Sequence, residues 1–130
     1  MLVPYNNDYE KITMGLLSYV PDLDEPSRIE EELNWYNAQD NRKIYLWKSE
    51  ETSNLIGFVG VEEEEDLVLL RHIAIDPSFR NEGLAYRMLD ALQEKYDSKN
   101  IVATLITATI ISKWQKRVSE NKDTLEDSKD

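Results

Sequence analysis

The chain has no cysteine among its 130 residues. That excludes disulfides, thiolate metal sites and a cysteine nucleophile. It has a single histidine, His72, too few for a histidine-built metal centre. No apolar run reaches the roughly 18 residues that span a bilayer. The N-terminus, MLVPYNNDYEK, lacks the basic region and apolar run of a signal peptide, so a cytoplasmic location is expected. Basic residues are scarce: 15 Lys and Arg stand against 26 Asp and Glu, a net charge of −11. A nucleic-acid surface needs a clustered basic face, and an anionic membrane would repel this chain, so neither is an expected partner.

What is present reads as one soluble domain. Hydrophobic residues make up 41% and charged residues 32%, an ordinary globular balance, and the length suffices for one core. No repeat or linker divides it. Residues 2 to 5, LVPY, suggest a short strand, with Asp8 offering an N-cap to a helix over YEKITMGLLSYV that Pro21 stops. Ser27 opens a second helix with Ile29, Leu33 and Tyr36 on one face. Residues 43–49, 55–62 and 67–75 read as three strands with short connections, hence an antiparallel meander. LIGFVGVE is nearly all apolar and so belongs at the centre of its sheet. After Gly83 a helix buries Leu84, Met88, Leu89 and Leu92. IVATL, residues 101 to 105, is the next, parallel strand, reached by a right-handed crossover. TATIISKWQKRV makes a last helix. SENKDTLEDSKD, residues 119 to 130, holds five acids, two lysines and almost no apolar residue, and is expected to be a disordered acidic tail.

The junction RHIAIDPSFRNEGLA needs a chemical reason. A helix start carries unpaired N–H groups and partial positive charge, which suits phosphate. Small residues let the oxygens approach: Gly83 also permits unusual dihedrals, and Ala85 is small. Arg80 adds a cation with several donors. An acidic protein that binds an anion needs such a local reversal, and Arg71 and Arg87 flank the same turn. Ordinary turn chemistry also accounts for Asp-Pro-Ser, and Asn81 also fits a plain N-cap.

Arg80, Asn81, Glu82, Gly83, Leu84 and Ala85 resemble motif A of the GCN5-related N-acetyltransferase (GNAT) superfamily: Arg or Gln, two residues, Gly, one residue, then Gly or Ala. The element order resembles that fold over about residues 2 to 118, so an α/β chain with a mixed sheet is expected: one GNAT-like acyltransferase domain, 1–118, followed by the tail. The segments MGLLSYVPD, LIGFVGVE and RHIAIDPSFRNEG are similar to acetyltransferase-like proteins encoded in riboflavin operons of Gram-positive bacteria. That suggests a link with flavin metabolism, though nothing in the chain looks like a flavin site.

The resemblance implies acetyl-coenzyme A as acyl donor, without a metal. The amides of Asn81, Glu82, Gly83, Leu84 and Ala85 would hold its pyrophosphate, with Arg80 beside them and Tyr86 just inside the helix. The strand edge at Ile73, Ala74 and Ile75 would pair with the pantetheine arm. The thioester would lie where the fourth and fifth strands part. The acceptor would be an amine, of a small molecule or a protein.

Transfer needs a deprotonated amine, a polarised carbonyl and protonation of the thiolate. The family often places a glutamate early in the fourth strand as base, where this chain has Leu69. His72 and Glu62 are the remaining candidates. Strict alternation turns His72 away from the face of Leu69 unless a bulge intervenes. A histidine in an apolar strand also fits packing, and a charged hairpin also fits mere solvation. The family's tyrosine in the last helix is replaced here by a region holding Trp114 and Gln115. Family members also continue with two more strands, so the fold is expected to be truncated after the last helix, leaving the fifth strand an open edge that a homodimer would cover. Two readings stand: an acetyl-coenzyme A-dependent N-acetyltransferase acting by direct transfer, or a degenerate coenzyme A-binding or protein-interaction module of the same fold.

Overall fold

The computed structural model of the chain describes residues 1–80 and 83–127, with side chains as far as Glu120. Five strands form one sheet in the order β1 (Leu2–Pro4), β2 (Arg42–Lys48), β3 (Leu55–Glu63), β4 (Leu67–Ile75), β5 (Asn100–Ala103). The first four pair antiparallel and β5 runs parallel to β4. Helices α1 (Glu10–Leu17) and α2 (Pro26–Asn37) precede β2; α3 (Leu84–Lys95) crosses from β4 to β5, and α4 (Ala108–Asp127) follows. The mixed α/β architecture is the expected one. No helix among the described residues is long and apolar enough to cross a membrane.

The sheet separates two apolar layers. Leu16, Leu17, Ile29, Leu33 and Tyr36 of α1 and α2 pack on Ile44, Leu46, Phe58 and Ala74. On the other face Leu84, Met88, Leu89 and Leu92 of α3, with Ile111 and Trp114 of α4, pack on Tyr45, Trp47, Val59, Val61, Val68 and Leu70. β2 thus sends alternate residues to opposite layers, as the pleat requires. β3 is buried from Ile56 to Val61 because both faces are covered.

Element ends differ from expectation where local hydrogen bonds compete. Asn6, not Asp8, supplies the first cap: its side chain accepts from the Asp8 N–H and opens a 3-10 turn, Asn7–Tyr9, ahead of α1. α2 begins at Pro26, whose ring suits the first helical position. β5 stops at Ala103, two residues early, and Leu105 is 99% exposed. α4 continues through the acidic segment from Ser119 as far as Asp127. Its residues include several good helix formers and no Gly or Pro, so nothing in it breaks a helix already nucleated. Residues 128–130 lie outside the described residues.

Candidate active site

A bulge and a parting of strands build the site. β3 and β4 pair in one register from Gly57↔Ile75 to Gly60↔His72, then shift to Val61↔Leu70. Arg71 is the extra residue, so β4 is bulged there. The bulge changes which side chains share a face. Val68 and Leu70 join the α3 layer, with Ile73 packed against it, whereas Ala74 joins the α1–α2 layer. His72, paired with Gly60, follows Ala74 to that second layer and so comes onto the face of Leu69.

β5 pairs with β4 only from Leu67↔Asn100 to Leu70↔Ala103. β4 runs on to Ile75 without it. Thr107 marks the fork. It is 1% exposed, donates its hydroxyl hydrogen to the Leu70 carbonyl at 2.9 Å and accepts from the Thr104 N–H at 3.0 Å. The phase of the β3–β4 ladder follows from Asp76 N–H bonding to Ile56 C=O at 2.9 Å. Antiparallel alternation then turns the main-chain groups of Ala74 and His72 toward β3, and those of Ile73 and Ile75 into the gap beyond the fork.

The gap leads to the start of α3. Gly83 is the N-cap, with φ of +70°, a left-handed conformation that only glycine adopts cheaply. A Cβ placed on it would meet nothing within 4 Å among the described residues, so there is space beside its α-carbon. The first helical bond runs from Arg87 N–H to Gly83 C=O at 3.3 Å, so the N–H groups of Leu84, Ala85 and Tyr86 precede any intrahelical acceptor. Arg80 is exposed and pinned: its Nε donates to the Ile75 carbonyl at 3.3 Å, and its guanidinium lies 5.8 Å over the ring of Tyr19. Arg117 sits 4.8 Å over the ring of Tyr86. Asn81 and Glu82 lie outside the described residues. A left-handed glycine, helix-start amides that lack an intrahelical acceptor, a guanidinium held at Ile75 and a strand edge that β5 leaves unpaired fit a long thioester that ends in a diphosphate.

On the α1–α2 face a polar cluster is buried beside the bulge. The Tyr36 hydroxyl and His72 Nδ1 are 2.6 Å apart, and His72 Nε2 is 3.8 Å from a Glu32 carboxylate oxygen. Gly60 makes room for this, since a Cβ there would overlap the Tyr36 hydroxyl. Burial, with help from the Arg71 charge, lowers His72 to about 4. The ring is therefore neutral at neutral pH, and its approach to Glu32 is no ion pair. Burial pushes Glu32 above the ordinary carboxylate value, against the pull of Arg71 and with Glu31 adding to the rise. Burial also raises Tyr36, and Glu32 adds to that. The phenol thus keeps its proton and donates to Nδ1, which leaves the ring hydrogen on Nε2, facing Glu32.

Glu62 stands across from Leu69 on β3 and approaches Arg42 Nε at 3.8 Å. Arg42 and Arg71 lie 3.8 Å and 4.7 Å from the centroid of the Trp35 ring. His72 and Glu62 thus share this face with Glu32, Tyr36 and Trp35 of α2, which sequence reasoning did not single out as functional. Their helical spacing reads as an ordinary amphipathic face, and only the register against β4 gives them chemistry. Thr107 was likewise silent. Trp114 packs in the α3 layer and donates Nε1–H to Asp90 at 2.8 Å, tying α4 to α3.

A model of the acetyltransferase (GNAT) family matches residues 9–113. An uncharacterized N-acetyltransferase in the lysA 3' region of Bacillus methanolicus is 35% identical over 116 residues, covering 88% of this chain and 95% of the relative. Among solved structures, a possible acetyltransferase from Clostridium difficile 630 superposes with a TM-score of 0.71 at 7% identity, over 89% of this chain and 88% of that one. An aminoglycoside N-acetyltransferase, AAC(6')-Iy, in complex with CoA gives 0.67 at 15% identity, over 91% and 84%. At such identities these two likenesses carry the fold alone. The family match and the curated relative carry more: the chain belongs to the GNAT family of acetyltransferases, enzymes that take their acetyl group from acetyl-coenzyme A.

Proposed function

We propose that the chain moves an acetyl group directly from acetyl-coenzyme A to a positively charged amine. The observation that carries this reading is the fork at Leu70 and Ala103, with the main-chain edge of Ile73 and Ile75 facing the gap and Gly83 open at its far end. Bound there, acetyl-coenzyme A supplies an activated acyl carbon. The main chain of Ile75 would bind the donor's arm, and the Ile73 N–H would polarise the carbonyl. Arg80 and the amides from Asn81 to Ala85 hold the diphosphate, and Tyr86 lines the helix start. Ala74 orders the same strand from the β3 side.

The acceptor approaches from the α1–α2 face. Glu32 and Glu62 offer carboxylates there, with His72 behind them, and a net charge of −11 steers cations toward the cleft. A cytoplasmic setting suits a coenzyme A-dependent reaction. The resemblance of MGLLSYVPD and RHIAIDPSFRNEG to riboflavin-operon proteins puts flavin-related amines in the acceptor panel alongside polyamines and lysine amides.

Thiol release from acetyl-coenzyme A across that panel tests the reading. Amine-dependent release supports it. Binding without release to any amine favours the second reading, a coenzyme A-binding module, for which the observation is that α4 brings Trp114 and Gln115 where the family often has a tyrosine. We also propose self-association through the β5 edge, where Val102, Leu105, Ile106 and Val118 are exposed. A monomeric mass by sedimentation at high concentration counts against that.

A further inference from the structure

We propose that Glu32 of α2 is the general base of the reaction, and that His72 and Tyr36 are the residues that position it. The inference rests on the acetyl-transfer reading above and replaces the missing strand carboxylate at Leu69 with one delivered from a helix. The bulge at Arg71 turns His72 onto the α1–α2 face immediately beyond Leu70, the last β4 residue that pairs with β5. Glu32 lies 3.8 Å from Nε2 of that ring, so its carboxylate is on the α1–α2 side of the sheet, over the part of β4 that β5 has left. Its side chain is 24% exposed, against 6% for His72, so Glu32 is open to an acceptor and His72 is not. The Tyr36 hydroxyl at 2.6 Å from Nδ1 locks the ring from behind, and the overlap that any Cβ at Gly60 would cause shows how closely that hydroxyl is seated. Glu62 is the rival carboxylate on this face; it lies 3.8 Å from Arg42 Nε, whereas the neighbour at 3.8 Å from Glu32 is the neutral His72 ring.

The step balances simply. Glu32 takes one proton from the acceptor ammonium, leaving a free amine. The amine nitrogen forms the bond to the acyl carbon, and the carbon–sulfur bond breaks with its electron pair going to sulfur. The nitrogen's second surplus proton leaves to solvent, and water protonates the thiolate. Glu32 returns its proton to solvent. The charged and titratable groups that act on the carboxylate are Glu31 and Tyr36 from α2 and Arg71 and His72 from β4; Glu62 of β3, with Arg42 of β2 beside it, acts on Tyr36.

Thiol release with the amine panel, and with water alone, is compared between wild type and Glu32→Gln, with acetyl-coenzyme A binding followed in parallel by calorimetry. The expected result is about a 100-fold fall in kcat/KM in Glu32→Gln with donor binding unchanged, the usual size of a general-base effect. The acid limb of the wild-type pH profile disappears in the variant, leaving only the rise set by the free amine. Glu32→Asp, which keeps the carboxylate and shortens its reach, retains the limb at a lower rate, and it carries the test should the glutamine variant not fold. An active wild type matched within about threefold by Glu32→Gln, acid limb intact, overturns the proposal and leaves acetyl transfer standing. A wild type that binds acetyl-coenzyme A yet acetylates no amine and hydrolyses nothing overturns both.

Discussion

His72 is held neutral by burial, and that fixes the sign of its effect on stability. Its value falls from 6.5 in an open chain to about 4 in the fold. Between those values the unfolded chain carries the proton and the folded one does not, so stability is full above 6.5 and declines as pH falls toward 4. The loss is about 3 kcal/mol for a shift of this size. Glu32 works the other way, because its raised value favours the folded state at low pH and that contribution is lost as pH rises through it. NMR titration of the single histidine reads His72 alone. A midpoint near 4 is expected; one at or above 6.5 contradicts the buried Tyr36–His72 pair. Gly60 offers a second test at this scale. Gly60→Ala should lower stability by about 1–3 kcal/mol, as overpacking does, and the loss should shrink in part when combined with Tyr36→Phe, which removes the nearest overlapping atom and leaves the two ring carbons. Additive losses in chemical denaturation would mean that the hydroxyl does not sit there.

At the scale of elements, Thr107 decides where β5 leaves β4. Thr107→Val keeps the shape but leaves the Leu70 carbonyl and the Thr104 N–H without this partner. It should cost about 1–3 kcal/mol of stability and weaken acetyl-coenzyme A binding, because the fork sets the width of the gap. Full retention of both would show that the fork is held elsewhere. The elements themselves were legible in the sequence to different degrees. β3 was, because an unbroken apolar run has few alternatives. α3 was, because Leu84, Met88, Leu89 and Leu92 repeat at helical spacing and Gly83 precedes them. The face of His72 was not, since parity along a strand predicts the wrong side once a bulge inserts one residue, and no residue type in RHIAI announces the bulge. Nor was the reach of α4, because a polar composition says that a segment cannot build a core and not that it cannot continue a helix already begun.

For the whole molecule, the proposed function makes the sheet a partition between two roles. The α3 face and the open turn at Gly83 suit the donor, and the α1–α2 face suits the acceptor. The proposed donor half has a contiguous sequence pattern, an arginine followed by a glycine-opened helix start, and so can be proposed from sequence alone. The acceptor half cannot, because Glu32, Tyr36, Glu62 and His72 come from three separate elements and meet only through the register of β3 and β4. The acidic surface, net −11, is consistent with that division: it admits cationic amines and leaves the anionic donor dependent on one local reversal at Arg80 and α3.

That dependence is tested most directly by calorimetry with acetyl-coenzyme A on the wild type, Arg80→Ala and Gly83→Glu. Micromolar binding is predicted for the wild type, weakened about tenfold or more in Arg80→Ala by loss of a charge-assisted contact. In Gly83→Glu it should be abolished by a carboxylate and an unfavourable φ in the turn itself. Absence of heat from the folded wild type, or equal binding by all three proteins, contradicts the account.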